Sequence, residues 1–266
     1  MAFYGKAFEY DGVSCEEFGL MMYSFSGGGE TQEFASTVTI QEDMVPSREK
    51  PLFYGVTYEQ KQEIVIEFGV SQARLDRHQP LDREEMSLIA SWLTGHGDYK
   101  WLMIDQDDMQ AVRYRCIVTS LTPVEDGEEC WGMQAVFTCD GPYGYRVPQT
   151  SSFRLNGTKN ISFLNEGSHN GYYYPKIVWE IERAGNLVIS NSSDAGRTFS
   201  LTDIPQEAKK IMIDCDHQVI TCEGDLNLYP KCNYKFLRLK RGYNMLVVTG
   251  TGLLKLICEF PVNIGG

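Results

Sequence analysis

A chain of 266 residues in which 42% are hydrophobic and 12% aromatic has enough apolar material for one large domain or two ordinary ones, which excludes the disordered class. Its formal charge of −12 argues against a protein that grips phosphate backbones, since that affinity comes from clustered Lys and Arg. No apolar run approaches the roughly 20 residues that span a bilayer, and the opening MAFYGKAFEYDG lacks the apolar stretch of a secretory signal, so folding in a cytoplasm without a membrane anchor is expected.

Early in the chain, Gly27-Gly28-Gly29 leads into a polar stretch up to Pro51 with few core positions. No GK[ST] follows the triplet, so a turning loop is expected rather than a phosphate cradle, and Gly27–Pro51 reads as an arm or belt that packs on a neighbour. Gln62–Val70 places Ile64, Ile66, Phe68 and Val70 on one face, the period of a half-buried strand. A helix should follow Asp82, which can cap it, with Glu85 completing a capping box, Leu81 stapling onto Met86, and Met86, Ile89, Ala90 and Leu93 forming the apolar stripe before Gly95. Trp101–Asp105 and Val112–Leu121 flank a polar turn and read as a hairpin; Trp131, Met133, Ala135 and Phe137 alternate again.

At Val136–Tyr145 (VFTCDGPYGY) the alternation stops on Asp140-Gly141-Pro142, a combination that ends a strand and marks a seam between two β-rich halves. Beyond it the chain reads as strand after strand. Ile177, Trp179 and Ile181 alternate, as do Ile211, Ile213 and Cys215, and Leu187–Ile189 is a short apolar run. Phe236–Lys240, within the basic stretch KFLRLKR, is expected to be a half-exposed strand. Met245–Thr249 and Leu253–Phe260 are expected as two strands parted by a turn at Thr249–Gly252. Short strands at this spacing indicate a β-sandwich or jelly roll.

Chemistry is sparse. The eight cysteines contain no CxxC pair, and a cytoplasmic chain keeps thiols reduced. A metal set of Cys215, His217, Cys222 and Cys232 matches no usual zinc spacing, so no metal or cofactor is expected. There is no GxSxG, HExxH, GxGxxG or P-loop, and the four histidines stand apart from any nucleophile; the chain is not expected to be an enzyme. Tyr172-Tyr173-Tyr174 could stack on sugar rings, but burial at a strand start ranks ahead of that reading.

Several phrases taken in order resemble the distal tail protein (Dit) family of siphophages that infect Gram-positive bacteria. They are Phe8–Leu20 (FEYDGVSCEEFGL), Pro51–Gly55 (PLFYG), the capped helix ending at Trp92-Leu93, Trp101–Asp105, the seam FTCDGPYGY, Asn165-Glu166-Gly167 with Pro175-Lys176-Ile177, and Phe236 with Gly242-Tyr243-Asn244. The resemblance implies a mostly β protein, with an N-terminal β-sandwich-like ring-forming domain carrying one α-helix (residues 1–141) and a C-terminal galectin-like β-sandwich (residues 142–266). It further implies a homohexameric ring at the virion tail tip, assembled in the bacterial host cytoplasm. That ring would join the tail tube protein to the tail-associated hub protein (Tal) and could carry a receptor-binding protein, with no membrane and no sequence-specific nucleic acid among its partners. The interface residues expected on this basis are Phe18, Gly19, Gly28, Arg48, Phe53 and Tyr54, and those at the interdomain seam are Phe137, Cys139, Pro142 and Tyr143. The acidic surplus would line the channel and keep passing DNA from sticking. Two competing classes are a protein that binds host surface glycans through its C-terminal sandwich and, ranked last, a tail-associated hydrolase.

Overall fold

A computed structural model describes residues 5–24, 38–46, 48–58, 61–107, 111–168 and 171–263. The chain separates into two compact units: the first runs through Tyr145 and includes Asn263, and the second is Arg146–Val262. Both are mostly β and built from antiparallel sheets.

The first unit holds β1 (Phe8–Tyr10), β2 (Val13–Ser14), β3 (Leu20–Met22), the hairpin strands β4 (Val38–Asp43) and β5 (Leu52–Tyr58), β6 (Glu63–Val70), helices α1 (Gln72–Leu75) and α2 (Arg83–Thr94), β7 (Lys100–Ile104), β8 (Val112–Asp126) and β9 (Glu129–Cys139). Its main sheet runs in the order β2-β1-β7-β8-β9-β6-β3. The period-2 strands supply its core: Ile64, Ile66, Phe68 and Val70 of β6 are fully buried, as are Ala135 and Phe137 of the neighbouring β9. Four side chains of this size withdrawn from water contribute on the order of 1.5–3 kcal/mol each.

The helix α2 forms where its sequence signals place it. Asp82 accepts from the Glu85 N–H at 2.8 Å, and the Glu85 carboxylate accepts from the Asp82 N–H at 3.1 Å. Ile89 and Leu93 bury, and Trp92 stacks between Phe8 and Phe18 at ring distances of 5.5 and 4.7 Å while its N–H donates to the Tyr10 carbonyl. The sequence predicts one helix; the structure adds the single turn α1. Arg74 of that turn reaches both Glu85 carboxylate oxygens at 2.8 Å, which holds the Glu85 carboxyl below its ordinary range.

The short β10 (Gly144–Arg146) carries the chain into the second unit. There follow β11 (Gln149–Asn165), β12 (Lys176–Ile181), β13 (Gly185–Asn191), β14 (Arg197–Ile204), β15 (Lys210–Asp214), β16 (Val219–Cys222), β17 (Gly242–Cys258) and β18 (Pro261–Val262). The sheet runs β14-β13-β17-β12-β15-β16, with β11 paired to β17 along all of its length. Because β17 takes β13 at Leu246–Thr249 and then β12 at Gly252–Ile257, one strand serves two neighbours in succession. Here the structure departs from the expected pair of strands parted at Thr249–Gly252. The two glycines bend the strand without breaking its ladder to β11. Gly252 has φ +154, and a Cβ there would lie 2.2 Å from the Glu180 carbonyl oxygen and 3.1 Å from the Trp179 ring that packs over the bend.

The stretch Phe236–Lys240 is also not a strand; among the described residues its ladder is one bridge, Leu239 to Tyr173. Side chains take its backbone groups instead. Arg197 donates to the Phe236 carbonyl, Asn191 to that of Arg238, Asn165 to that of Leu239, and Asn244 to that of Lys240.

Candidate interaction surface

In the first unit, β4 and β5 pair with each other from Val38↔Tyr58 to Asp43↔Leu52 and form a two-stranded sheet of their own. A register shift between Gln41 and Glu42 leaves Tyr54 as the extra residue, a bulge that re-aims side chains and weakens regular pairing. A lone two-stranded hairpin is marginally stable in water. This one also exposes large apolar side chains: Met44 is 70% exposed, Phe53 and Tyr54 65% each, and Ile40 57%. Glu42, Asp43, Arg48, Glu49 and Lys50 lie exposed among them, and the turn is closed by the Arg48 N–H donating to the Val45 carbonyl at 3.1 Å. Exposed apolar side chains interspersed with charged ones on a strand pair outside the main sheet suit a docking element.

Three of the residues singled out in sequence, Arg48, Phe53 and Tyr54, are thus brought together on this hairpin. Ile40 and Met44 were missed, although the alternation of Val38 and Ile40 was available as a signal. Gly28 lies outside the described residues. Phe18 and Gly19 serve local structure: Phe18 stacks on Trp92, and Gly19 (φ +67) ends the short 3-10 turn Cys15–Phe18 in the left-handed region that favours glycine.

Of the seam residues, Phe137 and Cys139 are fully buried in the first unit, where Phe137 meets the rings of Phe8 and Tyr10 edge-on. Burial pushes the Cys139 thiol up to about 12, and its direct partner across β8 and β9, Cys116, is pushed up as well. Pro142 and Tyr143 are half-buried. Beside them Asp140 accepts from the Tyr145 hydroxyl at 3.3 Å and lies 3.8 Å from Arg115; burial nevertheless raises its carboxyl. The four residues weighed as a metal set are placed in different settings. Cys215 and Cys232 sit in the second unit's core, Cys222 ends β16, and His217 pairs with Asp214 on a turn.

A model of the phage tail protein N-terminal domain matches residues 3–141, and one of the phage tail C-terminal domain matches residues 143–258. The chain belongs to this phage tail protein family. No curated protein matches it. The tail protein is similar in fold to the crystal structure of the Dit protein of SPP1, described as a paradigm of the hub adsorption apparatus in phages infecting Gram-positive bacteria. The TM-score is 0.65 at 12% identity, over 96% of this chain and 98% of that one. A chain of the phage P2 baseplate in its activated conformation with calcium aligns at a TM-score of 0.48 and 11% identity, over 91% of this chain and 92% of that one.

The charge of the tail protein divides sharply between its units. The first has 10 Lys and Arg against 25 Asp and Glu, a net of −15; the second has 14 against 11, a net of +3. The whole acidic surplus therefore belongs to the unit that carries the hairpin.

Proposed function

We propose that the tail protein is a distal tail adaptor: six copies close a ring that joins the tail tube protein to the Tal hub, with a galectin-like second unit available to carry a receptor-binding protein. The observation that carries this reading is the β4–β5 hairpin, a two-stranded element exposing Ile40, Met44, Phe53 and Tyr54. Such an element gains stability by docking on a neighbour. When it docks on a different face of the next copy, the contact is heterologous, and a rotation of one sixth of a turn between copies closes it into a six-membered ring. The net of −15 on the same unit suits a ring whose channel passes DNA, because like charge lowers adhesion. The role is mechanical and requires no catalytic group or cofactor. Particle assembly inside the host cell and release with the tail follow from this reading.

Sedimentation velocity on the purified protein tests it. The wild type should populate a six-copy species, and Phe53→Ser with Tyr54→Ser should shift it toward the monomer while far-ultraviolet circular dichroism shows the β fold retained. A double variant that assembles as the wild type does would remove the hairpin from the interface.

A further inference from the structure

Among the described residues, four polar or charged side chains are buried: Asn165, Asn191, Asp194 and Asn244. All four converge on one segment of the second unit. Asn165 donates to the Leu239 carbonyl, Asn191 to the Arg238 carbonyl and to the Asn244 amide oxygen, and Asn244 spans Lys240 and Gly242. Asp194 holds the Arg238 guanidinium at 2.7 and 3.2 Å, and that guanidinium lies 3.7 Å from the centre of the Tyr172 ring. Buried polar groups are costly unless fully bonded, and here they fix the course of residues 238–245.

The surface that this network holds is apolar and basic. Tyr243 is 70% exposed and Met245 48%; they point the same way from β17, and Leu164 lies exposed directly across from Tyr243 on β11. The Met245 N–H donates to Ser193 Oγ, which joins this patch to the turn bearing Asp194. The densest cation run of the sequence, Lys235, Arg238, Lys240 and Arg241, leads directly into this strand; Arg238 is paired to Asp194, whereas Lys240 and Arg241 are exposed two to three residues before Tyr243. Tyr, Met and Arg on a preorganised surface are the residues that dominate protein interfaces.

We propose that this end of the second unit docks on the acidic first unit of another copy. Charge complementarity selects the occupant. Copies of a chain carrying −12 repel one another, so association needs local attraction, and the +3 unit and the −15 unit are matched for it. The apolar patch supplies the contact area and the cation run the orientation. This contact is additional to the hairpin contact proposed above, and the two are separated by their variants.

Carbodiimide cross-linking of the full-length protein tests the proposal, with nitrogen-15-labelled and unlabelled copies mixed dilute and then concentrated. Mixed-isotope peptides should join Lys240 or Lys235 to carboxylates within residues 1–145. The charge reversal Lys240→Glu with Arg241→Glu, and separately Tyr243→Ser, should abolish those peptides and weaken self-association at least tenfold with the far-ultraviolet circular dichroism spectrum unchanged. Phe53→Ser with Tyr54→Ser reports on the hairpin alone. Lys240 linked only within its own copy, with the charge reversal leaving self-association unchanged, would overturn the docking proposal and leave the hairpin reading standing. Loss of dextran sulfate retention in the charge reversal, with self-association unchanged, would overturn it too and assign the patch to an anionic polysaccharide.

Discussion

Asp194 is 3% exposed and owes its charged state chiefly to Arg238, with Tyr172 and Lys240 adding to it. The hydrogen bonds from Arg238 hold its carboxyl below the ordinary carboxylate range, against the burial that would raise it. A depressed folded-state value means that the stabilisation is present above the unfolded value, near 4, and is lost as pH falls through the folded one. Arg238→Ala should therefore cost about 3 kcal/mol at pH 7, because it strands a buried carboxylate. In thermal unfolding at pH 3 the gap between variant and wild type should narrow; an equal gap at both pH values would refute this electrostatic account. The thiols make a second case. Burial raises Cys139, Cys215 and Cys258 to about 12, whereas Cys222 is half-buried at the margin of the second unit's core. Iodoacetamide at pH 8 on the native protein should thus modify Cys222 first, with the others following only on unfolding, as intact mass would show. Phe18 has a contact that residue-level reading does not reach. The resemblance set it among the interface residues, and its stacking partner Trp92, 74 positions away, is announced by nothing local.

At the scale of elements, legibility followed locality. The helix α2 was readable because cap, capping box and stripe all lie within a dozen residues; Asp82→Ala should cost about 1 kcal/mol, measurable by denaturant unfolding. The strand β17 was not readable, because Gly250 and Gly252 look like a turn until Trp179 and the ladder to β11 are in place. Gly252→Val should destabilise by about 2 kcal/mol or more, through positive φ and collision with the Glu180 carbonyl; a neutral result would mean that the bend relaxes freely. Phe236–Lys240 alternates like a strand but is held by Asn and Arg side chains reaching in from β11, β13, β14 and β17, which no local window contains. The hairpin lies between these extremes. A lack of core positions marked an arm before Pro51, and Phe53 and Tyr54 were flagged, yet the pairing of β4 with β5 and its bulge bring in Ile40 and Met44.

For the molecule as a whole, the two units carry different surfaces: an acidic one with an apolar hairpin, and a slightly basic one with an apolar patch around Tyr243. Sequence alone read a seam at Val136–Tyr145 with a β-rich half on either side, and the compact units part after Tyr145. It hid the charge division, because a net of −12 averages two unlike units. Assembly driven partly by that division should weaken in salt; raising sodium chloride from 0.1 to 0.5 M should shift sedimentation toward smaller species, while purely apolar docking would be unmoved or strengthened. The central claim is a closed ring built through the hairpin, and electron microscopy of the purified protein, alone and with tail tube and hub partners, tests it most directly. Class averages should show six-fold rings that disappear in Phe53→Ser with Tyr54→Ser; a wild type that remains monomeric with both partners present would contradict it.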